Sequence, residues 1–125
     1  MKQEFLAKAK ENLAVAEWSY ENGHYNASAN RAYYAAFQAA IAALAHTGII
    51  TTSRISHSAT QSLFATELIR RRKVYPSHLK SYLMDLQRIR DDADYECRSV
   101  SKKKASTHFK QAKKFVEILT KEIEK

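Results

Sequence analysis

Apolar positions along this chain recur at three- and four-residue steps, and five segments keep that period long enough to predict helices. The first runs from about Lys2 to Tyr20, where Leu6, Ala9, Leu13, Ala16 and Tyr20 line one stripe. Glu21-Asn22-Gly23 ends it, and Gly23 suits a left-handed position just past a helix. The second runs from about Asn26 to His46 and differs in kind, because between Ala32 and Ala45 only Gln38 is polar. A helix apolar all round is buried on most sides, so it is predicted to be central. Its many alanines let neighbours approach closely. Thr47-Gly48 closes it, and Ile49 to Ile55 reads as a loop.

The third helix begins near Ser56, a residue type that caps helix starts. It carries Leu63, Phe64 and Leu68 and ends in Arg70-Arg71-Arg72-Lys73. The fourth opens with Pro76 near its first turn. Leu79, Leu83 and Leu86, then Arg90 and Ala93, share one of its faces. The fifth runs from about Ser101 to the C-terminus on a stripe of Ala105, Ala112, Val116, Leu119 and Ile123. Short connections imply antiparallel neighbours. The expected fold class is all-α, an antiparallel bundle of about five helices, with residues 1–125 forming one domain.

Composition narrows this further. Two glycines and one proline leave little turn chemistry, which argues against a hairpin-built sheet. Cys97 is the only cysteine, so no internal disulfide can form. No Cys/His set has zinc spacing, and neither a metal nor another cofactor is expected. Met1 to Lys10 is charged and unlike a secretory leader. Ala32 to Ala45 is shorter than the roughly 20 residues that cross a bilayer. The expectation is a cytoplasmic protein with no membrane partner. A net charge of +8 favours RNA, DNA or an acidic protein as partner, or serves solubility alone.

Arg90 is the outlier in this pattern, since it falls on the stripe of Leu79, Leu83 and Leu86. An unpaired buried guanidinium is costly. Arg90 therefore either pairs with Asp94 four residues on, closing the bundle end, or faces an anion, a partner chain or a wet cleft. Tyr95 follows at the helix end, where an aromatic commonly packs with its hydroxyl wet. His108, at the edge of the fifth stripe, reads as a core histidine or as a group at the depth of Arg90. His57 lies in the first turn of the third helix, where the helix-end potential favours a neutral imidazole. Arg98 and Lys102, Lys103 and Lys104 belong to the same bundle end as Arg90 and could track a phosphate backbone with it. The runs Arg70 to Lys73 and Lys113-Lys114 read as solvated faces. Val15 and Trp18 lie off the first stripe, where a Trp covers a neighbouring element or joins a subunit interface.

Several segments resemble the HEPN domain family. Gly23-His24-Tyr25-Asn26 followed by Ala32-Tyr33-Tyr34-Ala35-Ala36-Phe37-Gln38-Ala39-Ala40 resembles its second helix. Ser56-His57-Ser58 followed by Phe64 resembles the opening of its third. Arg88-Ile89-Arg90-Asp91-Asp92-Ala93-Asp94-Tyr95 resembles the Arg…Ala-Asp-Tyr signature of one subgroup, and the final helix, with Ala105, Ala112, Phe115 and Val116, also matches. The likeness covers nearly the whole chain. It implies a helical bundle that forms a homodimer. It also implies one of three functions: a toxin or partner of a minimal nucleotidyltransferase, a metal-independent ribonuclease working in a dimer cleft, or a non-catalytic RNA- or nucleotide-binding domain.

In nuclease members an Arg precedes a His across a gap of four to six residues. Arg holds the scissile phosphate and His moves the 2′-hydroxyl proton. Here the positions counted from Arg90 hold Tyr95, Glu96 and Cys97, and those counted from Arg88 hold Ala93, Asp94 and Tyr95. With that His absent, Arg90, Asp94, Tyr95, His57 and His108 are the catalytic candidates. In related toxins a Tyr beside the motif is adenylylated by the paired nucleotidyltransferase, and Tyr95 is the matching position.

Overall fold

The computed structural model describes residues 1–52 and 54–125; Ser53, inside the expected 49–55 loop, lies outside them. The described residues form α1 (Lys2–Glu21), α2 (Tyr25–His46), α3 (His57–Leu63), α4 (His78–Tyr95) and α5 (Lys102–Ile123). A π-helical segment, Phe64–Arg71, continues α3 without a break. The fold is an all-helical bundle with α2 packed against α1, α3, α4 and α5. Neighbours run antiparallel: Lys2 at the start of α1 meets His46 at the end of α2, and Ser28 meets the carbonyl of Ala16. Asn30 of α2 likewise meets Asp94 near the end of α4.

Both glycines sit where the backbone demands them. Gly23 (φ 79°) follows α1 and Gly48 (φ 76°) follows α2. In each case the next N–H reaches back to the helix, His24 to the Ser19 carbonyl at 2.7 Å and Ile49 to Leu44 at 3.0 Å. These bonds satisfy carbonyls that a helix end leaves free. Lys73 (φ 52°) takes the same left-handed position after the π-helical segment, with Val74 bonding back to Leu68 at 2.8 Å. Ser56 and Ser101 cap α3 and α5 by accepting from the N–H groups of Ala59 and Lys104.

The all-apolar stretch of α2 is buried as its pattern predicts. Ala32, Tyr33, Ala35, Ala36, Phe37 and Ala39 to Leu44 all lie inside the core. They meet Leu6 and Ala9 of α1, Leu79, Leu83 and Leu86 of α4, and Phe115, Val116 and Leu119 of α5. A smaller cluster of Ala29, Ile89, Val100 and Ala105 closes the end where α4 turns into α5. Val15 and Trp18 stay largely exposed on α1, with Trp18 stacked on His24.

The π-helical turn departs from the sequence expectation of one continuous α-helix. Arg72 N–H bonds the carbonyl of Glu67, five residues back, at 2.9 Å. The wider turn still keeps Phe64, Leu68 and Ile69 buried together. No residue type in the stretch marks it in advance.

Candidate functional site

One strip of α2 remains partly exposed along its buried length. It consists of Asn30, Arg31, Tyr34 and Gln38, and Asn30, Tyr34 and Gln38 are four residues apart on one face. Arg90 of α4 projects against this strip. Its side chain is 14% exposed. Nη1 donates to Asp91 Oδ1 at 2.8 Å and Nη2 to the Tyr34 hydroxyl at 3.1 Å. Cζ lies 5.3 and 5.5 Å from the ring centres of Tyr33 and Tyr34, within cation–π range. Nε is buried with no hydrogen bond, and Asp94 Oδ2 stands 3.7 Å away. Burial works against the charge, but Tyr34 and Asp91 outweigh it and hold the guanidinium above its ordinary pKa.

Of the two readings of Arg90, the Asp94 pair is present but secondary. Asp91 makes the hydrogen bond, while both Asp94 oxygens accept from Asn30 Nδ2 at 3.2 and 3.0 Å. The network continues from Asn30 Oδ1 to Arg31, from Arg31 to Asn12, and from Asn12 to Gln38 at 2.6 Å. Sequence reasoning missed Asp91 and Tyr34 as partners of Arg90, and Asn30 and Arg31 as members of the wider network. The four-residue step linking Asn30, Tyr34 and Gln38 was the available signal.

His57 joins the same cluster from α3. Its ring stacks on Phe37 at 4.1 Å and meets Tyr34 edge-on at 5.8 Å. Nδ1 lies 2.7 Å from the Tyr33 hydroxyl. Burial, and then the positive Arg90, push its pKa below the usual imidazole value, with Asp91 opposing. The shift favours the neutral imidazole, with burial first and Arg90 second among its causes.

The neutral state has a consequence for stability. The unfolded chain takes up the His57 proton more readily than the folded one, so this group's contribution is present above about pH 6.5 and is lost as the pH falls toward the lowered value. Wild type should therefore lose more stability between pH 7.5 and 5 than His57→Gln, which does not titrate. Urea unfolding at several pH values checks this, and parallel curves would refute it.

The other candidates lie elsewhere. His108 bonds Gln111 one turn along α5 at 2.9 Å and has no bond to the Arg90 cluster among the described residues. Arg98 and Lys104 line a surface hollow of about 510 Å³ with Asp92, Glu96, Cys97 and Ser101. Asp92 sits about 200° around α4 from Arg90, so this hollow opens on another side. Lys102 and Lys103 are exposed in the first turn of α5. Arg98 and Lys104 thus face a hollow separate from the Arg90 strip, although the α4–α5 turn itself packs on the start of α2, where Val100 N–H donates to Asn26 Oδ1 at 2.8 Å. Tyr95, the last residue of α4, is 76% exposed rather than packed.

Among the described residues no group of His, Cys, Asp and Glu is placed to hold a metal ion, and no helix is long and apolar enough to cross a membrane. The sequence has no match among curated proteins. The family model described as HEPN domain matches residues 3–123, which is nearly the whole chain. Bundle, central alanine-rich helix and match agree, and the chain belongs to the HEPN domain family.

Proposed function

We propose that this HEPN-domain protein acts as the toxin or partner subunit of a minimal nucleotidyltransferase in an RNA- or nucleotide-related two-component system. The carrying observation is Tyr95. It is 76% exposed at the end of α4, and its hydroxyl has no partner among the described residues. A side chain so placed can enter another protein's active site, which a packed tyrosine cannot. There its oxygen attacks the α-phosphorus of a nucleoside triphosphate. The new phosphate–oxygen bond forms as pyrophosphate leaves, and the phenol proton passes to a base of the transferase. A chain of net charge +8 also suits a small acidic partner.

The test is co-expression with a nucleotidyltransferase encoded beside this chain, followed by mass spectrometry of the purified protein. The expected result is one added nucleotide on Tyr95 and none on Tyr95→Phe. An unmodified Tyr95 in a stable complex with the transferase would sink the modification.

A second reading, a metal-independent ribonuclease working in a cleft between two copies, is favoured by His57 lying beside Arg90. It predicts that induced wild type fragments cellular RNA while His57→Leu at matched soluble levels does not. A non-catalytic RNA- or nucleotide-binding domain predicts salt-dependent binding without product.

A further inference from the structure

We infer that His57 is a fixed hydrogen-bond donor to a phosphate oxygen, its Nε2–H turned toward the groove beside Arg90 by a bond from the Tyr33 hydroxyl to Nδ1. This rests on the nucleotide-related part of the functional reading and deepens it, because it says which atom meets the ligand.

The relay starts at Tyr33. Burial pushes the Tyr33 hydroxyl up to about 12. Tyr33 is fully buried and keeps its proton. Its hydrogen bond among the described residues is to His57 Nδ1 at 2.7 Å, and a buried phenol proton left without an acceptor is costly, so the O–H donates there. A neutral imidazole has one proton. With Nδ1 accepting, that proton is on Nε2.

Stacking on Phe37 and the edge contact with Tyr34 fix the ring plane. Nε2 has no partner among the described residues, and the ring is only partly buried. Arg90 supplies charge rather than contact, since Nη1 is taken by Asp91 and Nη2 by Tyr34. Asp91 and Asp94 together exceed that single charge, and Arg31, 5.0 Å from the centre of the Tyr34 ring, restores the balance. The groove therefore holds an anionic oxygen by a directed bond rather than by net attraction. The same tautomer supplies a donor and withholds a base, so cleavage in this groove requires its base from elsewhere.

Nitrogen-15 NMR of the imidazole rings decides which nitrogen carries the proton. Wild type should show His57 as Nε2–H. Tyr33→Phe, which removes one oxygen and keeps the buried ring, should give a mixture with Nδ1–H. Titration with inorganic phosphate, and separately with a single-stranded RNA oligonucleotide, should shift His57 Nε2. A response to RNA alone identifies a phosphodiester, and an equal response to both identifies a free phosphate group. His57→Leu should weaken binding about tenfold, while His57→Gln, with an amide donor near the Nε2 position, should retain most of it. An Nδ1–H tautomer in wild type, or a tautomer unchanged in Tyr33→Phe, overturns the relay. A fixed Nε2–H with no response to either probe overturns the ligand. Both results are independent of whether Tyr95 is modified.

Discussion

Arg90→Ala is expected to cost the fold about 2 to 4 kcal/mol, seen as a lower urea midpoint at unchanged slope. The guanidinium is 14% exposed and ties α4 to α2 through Tyr34 and the faces of two tyrosine rings. Truncation leaves the Tyr34 hydroxyl without its donor and two carboxylates, Asp91 and Asp94, without their cation. Arg90→Lys should recover part of the loss, because an ammonium restores charge but not the planar fork. Tyr34→Phe removes one partner and should cost about 1 kcal/mol. Unfolding of Arg90→Ala at the wild-type midpoint would mean that the guanidinium holds nothing. The expected cost also governs how a growth or RNA-integrity assay of Arg90→Ala is read. Loss of effect counts against a role of the intact groove only where helical content and soluble level match wild type.

The sequence made the helices legible because each has one strong cue. The stripe of Leu6, Ala9 and Ala16, the all-apolar run of α2 and the serine caps at Ser56 and Ser101 are local signals, and the structure keeps them. Both glycines were legible for the same reason, since each ends a helix. The site was less legible because it is assembled from three helices. Arg90 stood out from its own stripe, and His57 was marked by position and resemblance. Nothing local said that Tyr33 would join them, or that Asp91 rather than Asp94 would take the closer bond. A side chain's reach around a helix decides such matters, and sequence spacing gives only the face. The same limit explains the divided basic patch: Arg98 and Lys104 are near Arg90 in sequence, yet the helix turns them toward a different hollow.

The largest loss of stability is expected from Phe64→Ala, about 3 to 5 kcal/mol. Phe64 has no exposed surface and stands where α3 passes into the π-helical segment. Its ring stacks on Tyr75 at 5.6 Å and lies 5.4 Å from Phe115 of α5. Removing it opens a cavity between three elements that close packing cannot refill without moving a backbone. For a domain with a typical stability of about 5 to 15 kcal/mol, that is a large fraction of the whole. The effect should also be local. The third helix and its π-helical extension are short and depend on Phe64, Leu68 and Ile69 for burial, whereas α1 and α2 share a long interface. Hydrogen exchange in Phe64→Ala should therefore quicken first across residues 57–71, while the amides of α2 stay protected until global unfolding. Because His57 sits on that helix, its stacking on Phe37 and its bond to Tyr33 should loosen together. The groove would then lose its donor before the bundle loses its fold. Uniform acceleration across all five helices would show instead that Phe64 supports the whole core and that the third helix has no separate stability.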